Sequence, residues 1–440
     1  MIQMCVSGTT RVKLAESIER GIRNDQLAPG EKLPSIRALA ESLGLSPATV
    51  AGAYRQLQQR GFLVSQGRRG TVVSSRPPLP VASPMQAADG VTDCATGNPD
   101  PKLLPKLAPA LAAIRKEQTL YDEDPNSPEL VQLGLSLFQA DGVPTTGICT
   151  VNGSFDGIER ALAEHLFPGD RIAVEDPCFT GVLDLIRSRG LVPVPVALDQ
   201  SGILPESLTE ALKLKPKALI VTPRGQNPTG AAFTLSRARA LKKVLAKAPD
   251  LFVIEDDYEG TISGAEYVGL CDGKRARWTV VRSLCKSFSP DLRIALQAGD
   301  PDTLAHIQGR QVLGIRWVSH LLQDMAVYYL KDKKTAQLIE TAECTYTDRR
   351  TAFIEALKQE GVQSFGKSGF NVWVPVPDEA SVAQRLMQAG WLVTPGYRYR
   401  LQTPPAIRVT VSSLPAAEAK KLAREIGRCL RGGAFVSSAV

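Results

Sequence analysis

Four short apolar segments, 171–174, 218–222, 251–254 and 279–284, restrict the fold of this chain most strongly. They are separated by stretches of helical periodicity such as 155–166 and 236–248. Strands covered on both faces read as continuous apolar runs, and strands connected through helices run parallel. The alternation predicts a mostly parallel sheet with crossover helices, whose ligands lie beyond the carboxyl ends of the strands. The chain has 440 residues, 43% of them hydrophobic and 22% charged. That composition is globular, and the length exceeds what one compact core holds, so a further domain is expected.

Chemistry-bearing residues gather where those strands end. The run 279–284 delivers one lysine, Lys286, and Arg293 follows seven residues later. A lysine is ordinarily solvated and protonated. It becomes a nucleophile toward an aldehyde, as in Schiff-base chemistry with pyridoxal 5'-phosphate (PLP), when burial and nearby cations lower its pKa. Alone, Lys286 reads first as a surface residue after a strand. Glu255-Asp-Asp-Tyr258 clusters carboxylates and a phenol at another strand end. Such a set supplies the anion that a pyridinium nitrogen needs and a donor for a ring oxygen, or else a metal or capping site. Asn152-Gly-Ser154 precedes a helix, where free amides and the helix dipole hold an anion. The segment 174–179 would place Phe179 over a flat ring, although a phenylalanine serves a core as readily.

The first seventy residues carry a different pattern. Val12, Leu14, Ala15, Ile18 and Ile22 recur at helical spacing until Asn24 and Pro29-Gly30. Ser35 caps a second helix that Gly44 stops, and Ser46 with Pro47 opens a third helix carrying Val50, Ala53, Tyr54 and Leu57. Two helices across one short turn make a helix-turn-helix, whose second member enters a major groove by its N-terminal end. Two strands follow, 62–64 and 71–73, joined by a glycine turn holding Arg68 and Arg69, which reads as a wing. Residues 1–76 hold eleven Lys/Arg against five Asp/Glu, which is +6 of the chain's +7. A basic segment on a near-neutral body suggests a polyanion partner, double-stranded DNA on the helix-turn-helix reading, although a charge excess alone is usually just a solvated face. From pattern alone, a three-helix bundle with no DNA role fits equally.

Resemblance sharpens both halves. Pro29-Gly30, Leu33-Pro34-Ser35, Arg37, Thr49-Val50, Ala53-Tyr54, Gly61 and Gly70-Thr71 resemble the GntR family of winged helix-turn-helix proteins. Pro47 and Ala51 stand where that family often offers polar contacts, leaving Ser35, Arg37, Ser46, Thr49, Arg55, Arg68 and Arg69 as candidate DNA-contacting residues. The second part resembles the fold-type I aminotransferases through Pro99-Asp-Pro101, Glu175-Asp-Pro177, Asn227-Pro-Thr-Gly230, Asp256-Asp-Tyr258 and Lys286. The fusion is similar to the MocR regulators, and within them to a member tied to vitamin B6 salvage. The fold class so implied is α/β, an N-terminal winged helix-turn-helix joined to a fold-type I PLP-dependent aminotransferase-like domain with a large α/β part and a small C-terminal α+β part. The expected division is 1–73, a Pro/Ser/Ala-rich tether over 74–93, and 94–440, the last split into 94–310 and 311–440.

The same resemblance implies roles. Lys286 would bind PLP as a Schiff base. Asp256 would face the ring nitrogen, and Tyr258 with Asn227 the phenolic oxygen. Ser154, Ser283 and Arg293 would hold the phosphate, with Tyr121 reaching it from the other subunit of a homodimer. Arg408 would fork onto the carboxylate of an amino-acid-like effector; by itself it reads as a structural arginine near a strand. Tyr121-Asp122, Pro128-Glu-Leu130 and Ser283-Leu-Cys285 depart from the usual MocR pattern. The expected function is a PLP-sensing transcriptional regulator, with a working aminotransferase carrying a fused DNA reader as the alternative and a purely dimerising body as a third possibility. The eight cysteines and three histidines show no metal-ligand spacing. No run has the length of a membrane span, and the N-terminus lacks a signal-peptide pattern, so a cytoplasmic protein is expected.

Overall fold

A computed structural model of the chain describes residues 7–23, 26–59, 62–65, 70–74, 87, 90–115, 117, 119–145 and 147–432. Two compact units divide between Ser83 and Pro84.

The first unit packs helices α1 (Arg11–Arg23), α2 (Ile36–Leu43) and α3 (Pro47–Gln59) against the hairpin β1 (Leu63–Ser65) and β2 (Thr71–Val73). The caps lie where the sequence places them. Ser35 Oγ accepts from Ala38 N at 3.2 Å, Gly44 ends α2 at φ 63°, and Ser46 Oγ accepts from Thr49 N at 3.1 Å. Leu14, Ile18, Leu39, Val50, Tyr54 and Leu57 converge on one core, each large apolar side chain contributing roughly 1.5–3 kcal/mol. The Tyr54 hydroxyl donates to Pro34 O at 2.9 Å and ties the segment leading into the second helix to the third. In the hairpin Leu63 pairs with Val73 in antiparallel register, and Lys32 bridges to Val72. The expected turn with Arg68 and Arg69 lies outside the described residues.

Among the described residues, the second unit holds two sheets. Strand β3 (Thr92–Cys94) precedes the large sheet, built from β4 (Ile148–Val151), β5 (Arg171–Asp176), β6 (Val192–Asp199), β7 (Gly202–Ile203), β8 (Ala218–Val221), β9 (Phe252–Asp257), β10 (Trp278–Ser283) and β11 (Ala295–Gly299). Its order is β4-β11-β10-β9-β8-β5-β6-β7. The stretch β10-β9-β8-β5-β6 is parallel throughout, and it contains the four apolar runs that predict a parallel sheet. Both faces are covered: Phe252 and Ile254 pack into one layer and Val253 into the other. The sequence pattern misses β6 because Pro193 and Pro195 break the apolar run; that part of β6 pairs only with β5, so its other edge needs no amide donors.

The small sheet has the order β12-β14-β13-β3, adding β12 (Asn371–Pro375), β13 (Trp391–Pro395) and β14 (Ala406–Thr410). Thus Thr92 and Asp93, in the stretch read as a tether, pair with β13. The expected split near residue 310 falls within the helix Pro301–Val312, and Val318, Met325 and Tyr329 beyond it join the large-sheet core. The chain leaves that core after Tyr329 and enters the second cluster along the helix Lys333–Gln359.

Strand alternation divides the acidic cluster of β9. Asp256 faces the ligand side of the sheet. Glu255 and Asp257 face the opposite layer, where Asp257 receives Arg224 Nε at 2.8 Å and Arg282 Nε at 2.6 Å. These groups are nearly sealed from water, and without Asp257 the two cations would share only Asp141, which Arg282 meets at 2.6 Å and Arg224 at 3.8 Å. Asp257→Ala is expected to lower the unfolding free energy by about 3–5 kcal/mol in denaturant titration. A loss below about 1 kcal/mol, the size of an exposed pair, would mean that the cluster does not hold the sheet.

Candidate functional site

The strands β5, β8, β9 and β10 end at one edge of the large sheet, and β4 points the same way because two antiparallel pairings relate it to β10. A cavity of about 240 Å³ opens there. Lys286, Asp256, Tyr258, Asn227, Ser154, Phe179, Ser283, Arg293 and Arg408 all line it. The sequence scatters these residues over more than 250 positions, and the parallel topology brings them together.

Lys286 sits in the turn after β10. Its Nζ donates to Gly97 O at 2.7 Å and lies 5.6 Å from the centre of the Phe370 ring. Burial lowers its pKa, the Glu259 carboxylate opposes that, and Arg408 and Arg293 add to it. Asp256 is buried, which pushes its carboxyl up to about 7; the nearby Ser154 hydroxyl offsets part of that cost and Asp257 adds to it. Neither Asp256 Oδ1 nor Ser154 Oγ has a hydrogen-bond partner of good geometry among the described residues.

Ser154 opens the helix Ser154–His165 directly after Gly153, whose φ is 82°. A Cβ on Gly153 would lie 2.6 Å from Arg293 Nη2, so only glycine lets that guanidinium approach the helix N-terminus. Arg293 itself is held in the left-handed region at φ 45°. The N-terminal amides of that helix, Ser154, Ser283 and Arg293 are thus the groups at this end of the pocket that can take an anion.

At the other end, Arg408 on β14 is buried. Its Nη1 donates to Asn227 Oδ1 at 3.1 Å, Nη2 donates to Ala95 O and Thr394 Oγ1, and Nε has no partner among the described residues. The Tyr258 hydroxyl lies 2.7 Å from both Gly225 O and Glu259 Oε1, and desolvation raises its pKa well above the ordinary value. Phe179 is tilted against Phe155 with ring centres 5.7 Å apart. Tyr121 is not in this pocket: it is 77% exposed, packs on Trp317 at 5.7 Å, and Arg316 lies 5.2 Å above its ring.

Sequence reasoning missed two buried carboxylates. Glu175 lines the pocket, accepts from Thr222 N and Gln226 Nε2, and is pushed up to about 7 by burial. Glu259 stands behind Tyr258. A periodicity argument finds neither, because burial of a charged residue contradicts its usual preference.

In the first unit Ser35 and Ser46 serve as helix caps, and Ser46 Oγ also lies 2.8 Å from Thr49 Oγ1. Arg37 and Arg55 are exposed on α2 and α3.

A chain that pairs this pocket with a three-helix unit and hairpin has close counterparts. The model of the aminotransferase class I and II family matches residues 91–426, and that of the gntR family of bacterial regulatory proteins matches residues 10–73. The vitamin B6 salvage pathway transcriptional repressor PtsJ of Salmonella typhimurium is 36% identical over 97% of this chain and 99% of its own. The chain belongs to the MocR-type transcriptional regulators. A second relative, the HTH-type transcriptional regulator TauR of Rhodobacter capsulatus, is 28% identical over 96% of this chain and 97% of its own. The Pyrococcus horikoshii kynurenine aminotransferase superposes with a TM-score of 0.72 over 79% of this chain and 92% of its own, at 22% identity. That likeness establishes the fold of the MocR body, a fold shared with enzymes. Members of the aminotransferase class I and II family bind pyridoxal phosphate. Among the described residues no helix is long and apolar enough to cross a membrane.

Proposed function

We propose that this MocR regulator binds pyridoxal 5'-phosphate in the pocket around Lys286, works as a homodimer, and uses cofactor occupancy or an amino-acid-like effector to control its DNA operator. The observation that carries the reading is the set of buried polar atoms without a well-formed hydrogen bond among the described residues, Asp256 Oδ1, Ser154 Oγ and Arg408 Nε, around a lysine of lowered pKa. A buried acceptor without a donor is costly. Asp256 matches a cationic ring nitrogen, the Gly153–Arg293 cradle matches a phosphate, and Arg408 matches a carboxylate. The cofactor supplies an aldehyde for the lysine and an electron-withdrawing ring. The residues divide the work of holding it. Lys286 provides the amine, Asp256 holds the ring nitrogen protonated, Asn227 and Tyr258 orient the ring oxygen, and Ser154, Ser283 and Arg293 fix the phosphate. Tyr121, exposed on its own chain, fits a contact to the partner's phosphate. Kinship to PtsJ supports vitamin B6 metabolism as the regulated process.

Turnover demands more than binding: two substrates in succession, a proton moved by the freed lysine, and product release. A sensor needs only a difference in ligand affinity between two arrangements. Incubation of the loaded protein with ordinary amino acids is expected to give no sustained keto-acid formation. Production over many cycles per chain would favour the aminotransferase alternative.

DNA contact is expected from Arg37, Thr49 and Arg55, together with Arg68 and Arg69, and Ser35 and Ser46 present helix N-termini to phosphates. Replacing Arg68 and Arg69 by alanine together is expected to weaken binding to every sequence and to lower the salt slope of log K by about two. Thr49→Ala is expected to relax discrimination between operators. Gel shifts over a salt series measure both, and an unchanged slope would remove the wing from the interface.

A further inference from the structure

Glu259 takes no part in the reading above, yet it is the most enclosed charged group beside the pocket. It has no exposed surface. Its Oε1 lies 2.7 Å from the Tyr258 hydroxyl, and its Oε2 has no hydrogen-bond partner among the described residues. Two glycines from different loops make room for it. Gly225 and Gly369 have φ +64° and +68°, and a Cβ on either would collide with Oε2. Arg350, buried on the helix Lys333–Gln359, donates to Gly369 O and faces the same carboxylate.

The Tyr258 hydroxyl has one proton and two acceptors, Gly225 O and Glu259 Oε1, both at 2.7 Å. It can donate to only one of them at a time. An ionised Glu259 only accepts, and it draws the tyrosine proton away from the pocket. A protonated Glu259 donates to the phenol oxygen, which frees the tyrosine proton for another acceptor.

We propose that Glu259 is a positioning residue of this site: the state of its carboxyl sets the direction in which Tyr258 donates and how firmly a proton is held at Lys286. The inference rests on the reading that the pocket takes pyridoxal 5'-phosphate. The groups around Glu259 pull in opposite directions. Burial raises its pKa and Asp257 adds to that, whereas the Tyr258 hydrogen bond, Lys286 and Arg350 favour the anion. Burial prevails and displaces the carboxyl upward, and its charged neighbours set how far.

The test is a pH titration of the visible absorbance band of the full chain loaded with pyridoxal 5'-phosphate. Glu259→Gln keeps the shape of the side chain and removes its charge. The lost anion favours the deprotonated chromophore, and the amide NH2, donating to the phenol oxygen as a protonated Glu259 would, frees the tyrosine proton in the same direction. The midpoint is expected to fall by about one pH unit, tenfold in the proton equilibrium. In a Tyr258→Phe background the effect of Glu259→Gln is expected to shrink, because the route through the hydroxyl is gone. A midpoint moved by less than about 0.3 pH unit, with the band intact, overturns the proposal. An undiminished effect in the Phe background overturns the tyrosine route. If the Gln variant does not fold, Glu259→Asp carries the test, since it keeps the charge but withdraws from Tyr258: a smaller fall supports the proposal and an unchanged midpoint overturns it. A wild-type chain that forms no borohydride-reducible band fails at the cofactor reading instead, and the inference goes with it.

Discussion

Lys286→Ala is expected to abolish, not merely weaken, the visible band that borohydride reduces in the wild-type chain incubated with pyridoxal 5'-phosphate. The reason is covalent. Among the described residues, Lys286 is the only lysine lining the cavity, and no neighbouring amine stands ready to replace it. Desolvation lowers its pKa most, and Arg408 and Arg293 act in the same direction, so its neutral amine is more available than that of a solvated lysine. The anion cradle does not depend on the lysine, so the variant is expected to retain weak, reversible binding of the phosphate. Absorbance before and after reduction, followed by mass measurement of the reduced chain, distinguishes the cases. A reducible band and a mass increase in Lys286→Ala equal to those of wild type would move the covalent site elsewhere.

The second large effect is on stability against pH. Glu175 and Asp256 are buried with carboxyls pushed up to about 7, and Glu259 is displaced in the same direction. Unfolded carboxyls titrate near about 4. Between those values the folded chain holds protons that the unfolded chain has released, so stability falls as pH rises through the window. His165, lowered mainly by burial, gives a slope of opposite sign below its ordinary pKa, but it is one imidazole against several carboxyls. A pKa that differs by one between the folded and unfolded chain corresponds to about 1.4 kcal/mol. The melting temperature of cofactor-free protein is therefore expected to drop by several degrees between about pH 5 and pH 7.5. Pyridoxal 5'-phosphate is expected to flatten that slope, because a positive charge facing Asp256 restores its ionisation. Scanning calorimetry over the pH series checks both. A melting temperature that rises steadily to neutral pH would mean that these carboxyls are solvated.

Much of this was legible in the sequence, for identifiable reasons. The four apolar runs became β5, β8, β9 and β10, because a strand buried on both faces permits nothing else. The caps Ser35 and Ser46 and the stop at Gly44 were legible because each is a local hydrogen-bond or φ requirement. Lys286, Asp256 and Arg293 could be picked out because strand ends concentrate chemistry. Glu259 could not, because its slot is made by Gly225 and Gly369, 144 positions apart in the chain. The partner layer that claims Asp257 and Glu255 was likewise invisible: alternation separates them from Asp256, but only the fold says which face meets Arg224 and Arg282. Strand β11, built of Ala295–Gly299, carries too little β-branched character to register as a strand.

Coupling between the two halves is the central claim, and operator affinity measures it directly. Binding of the full chain to the DNA upstream of its own gene, at one fixed salt concentration, should be compared for the cofactor-free and the pyridoxal 5'-phosphate-loaded protein. The expected result is a change in Kd of about fivefold or more, the usual range for coupled sites, and its disappearance in Lys286→Ala. The same Kd with and without the cofactor would contradict the claim that cofactor occupancy is coupled to operator binding.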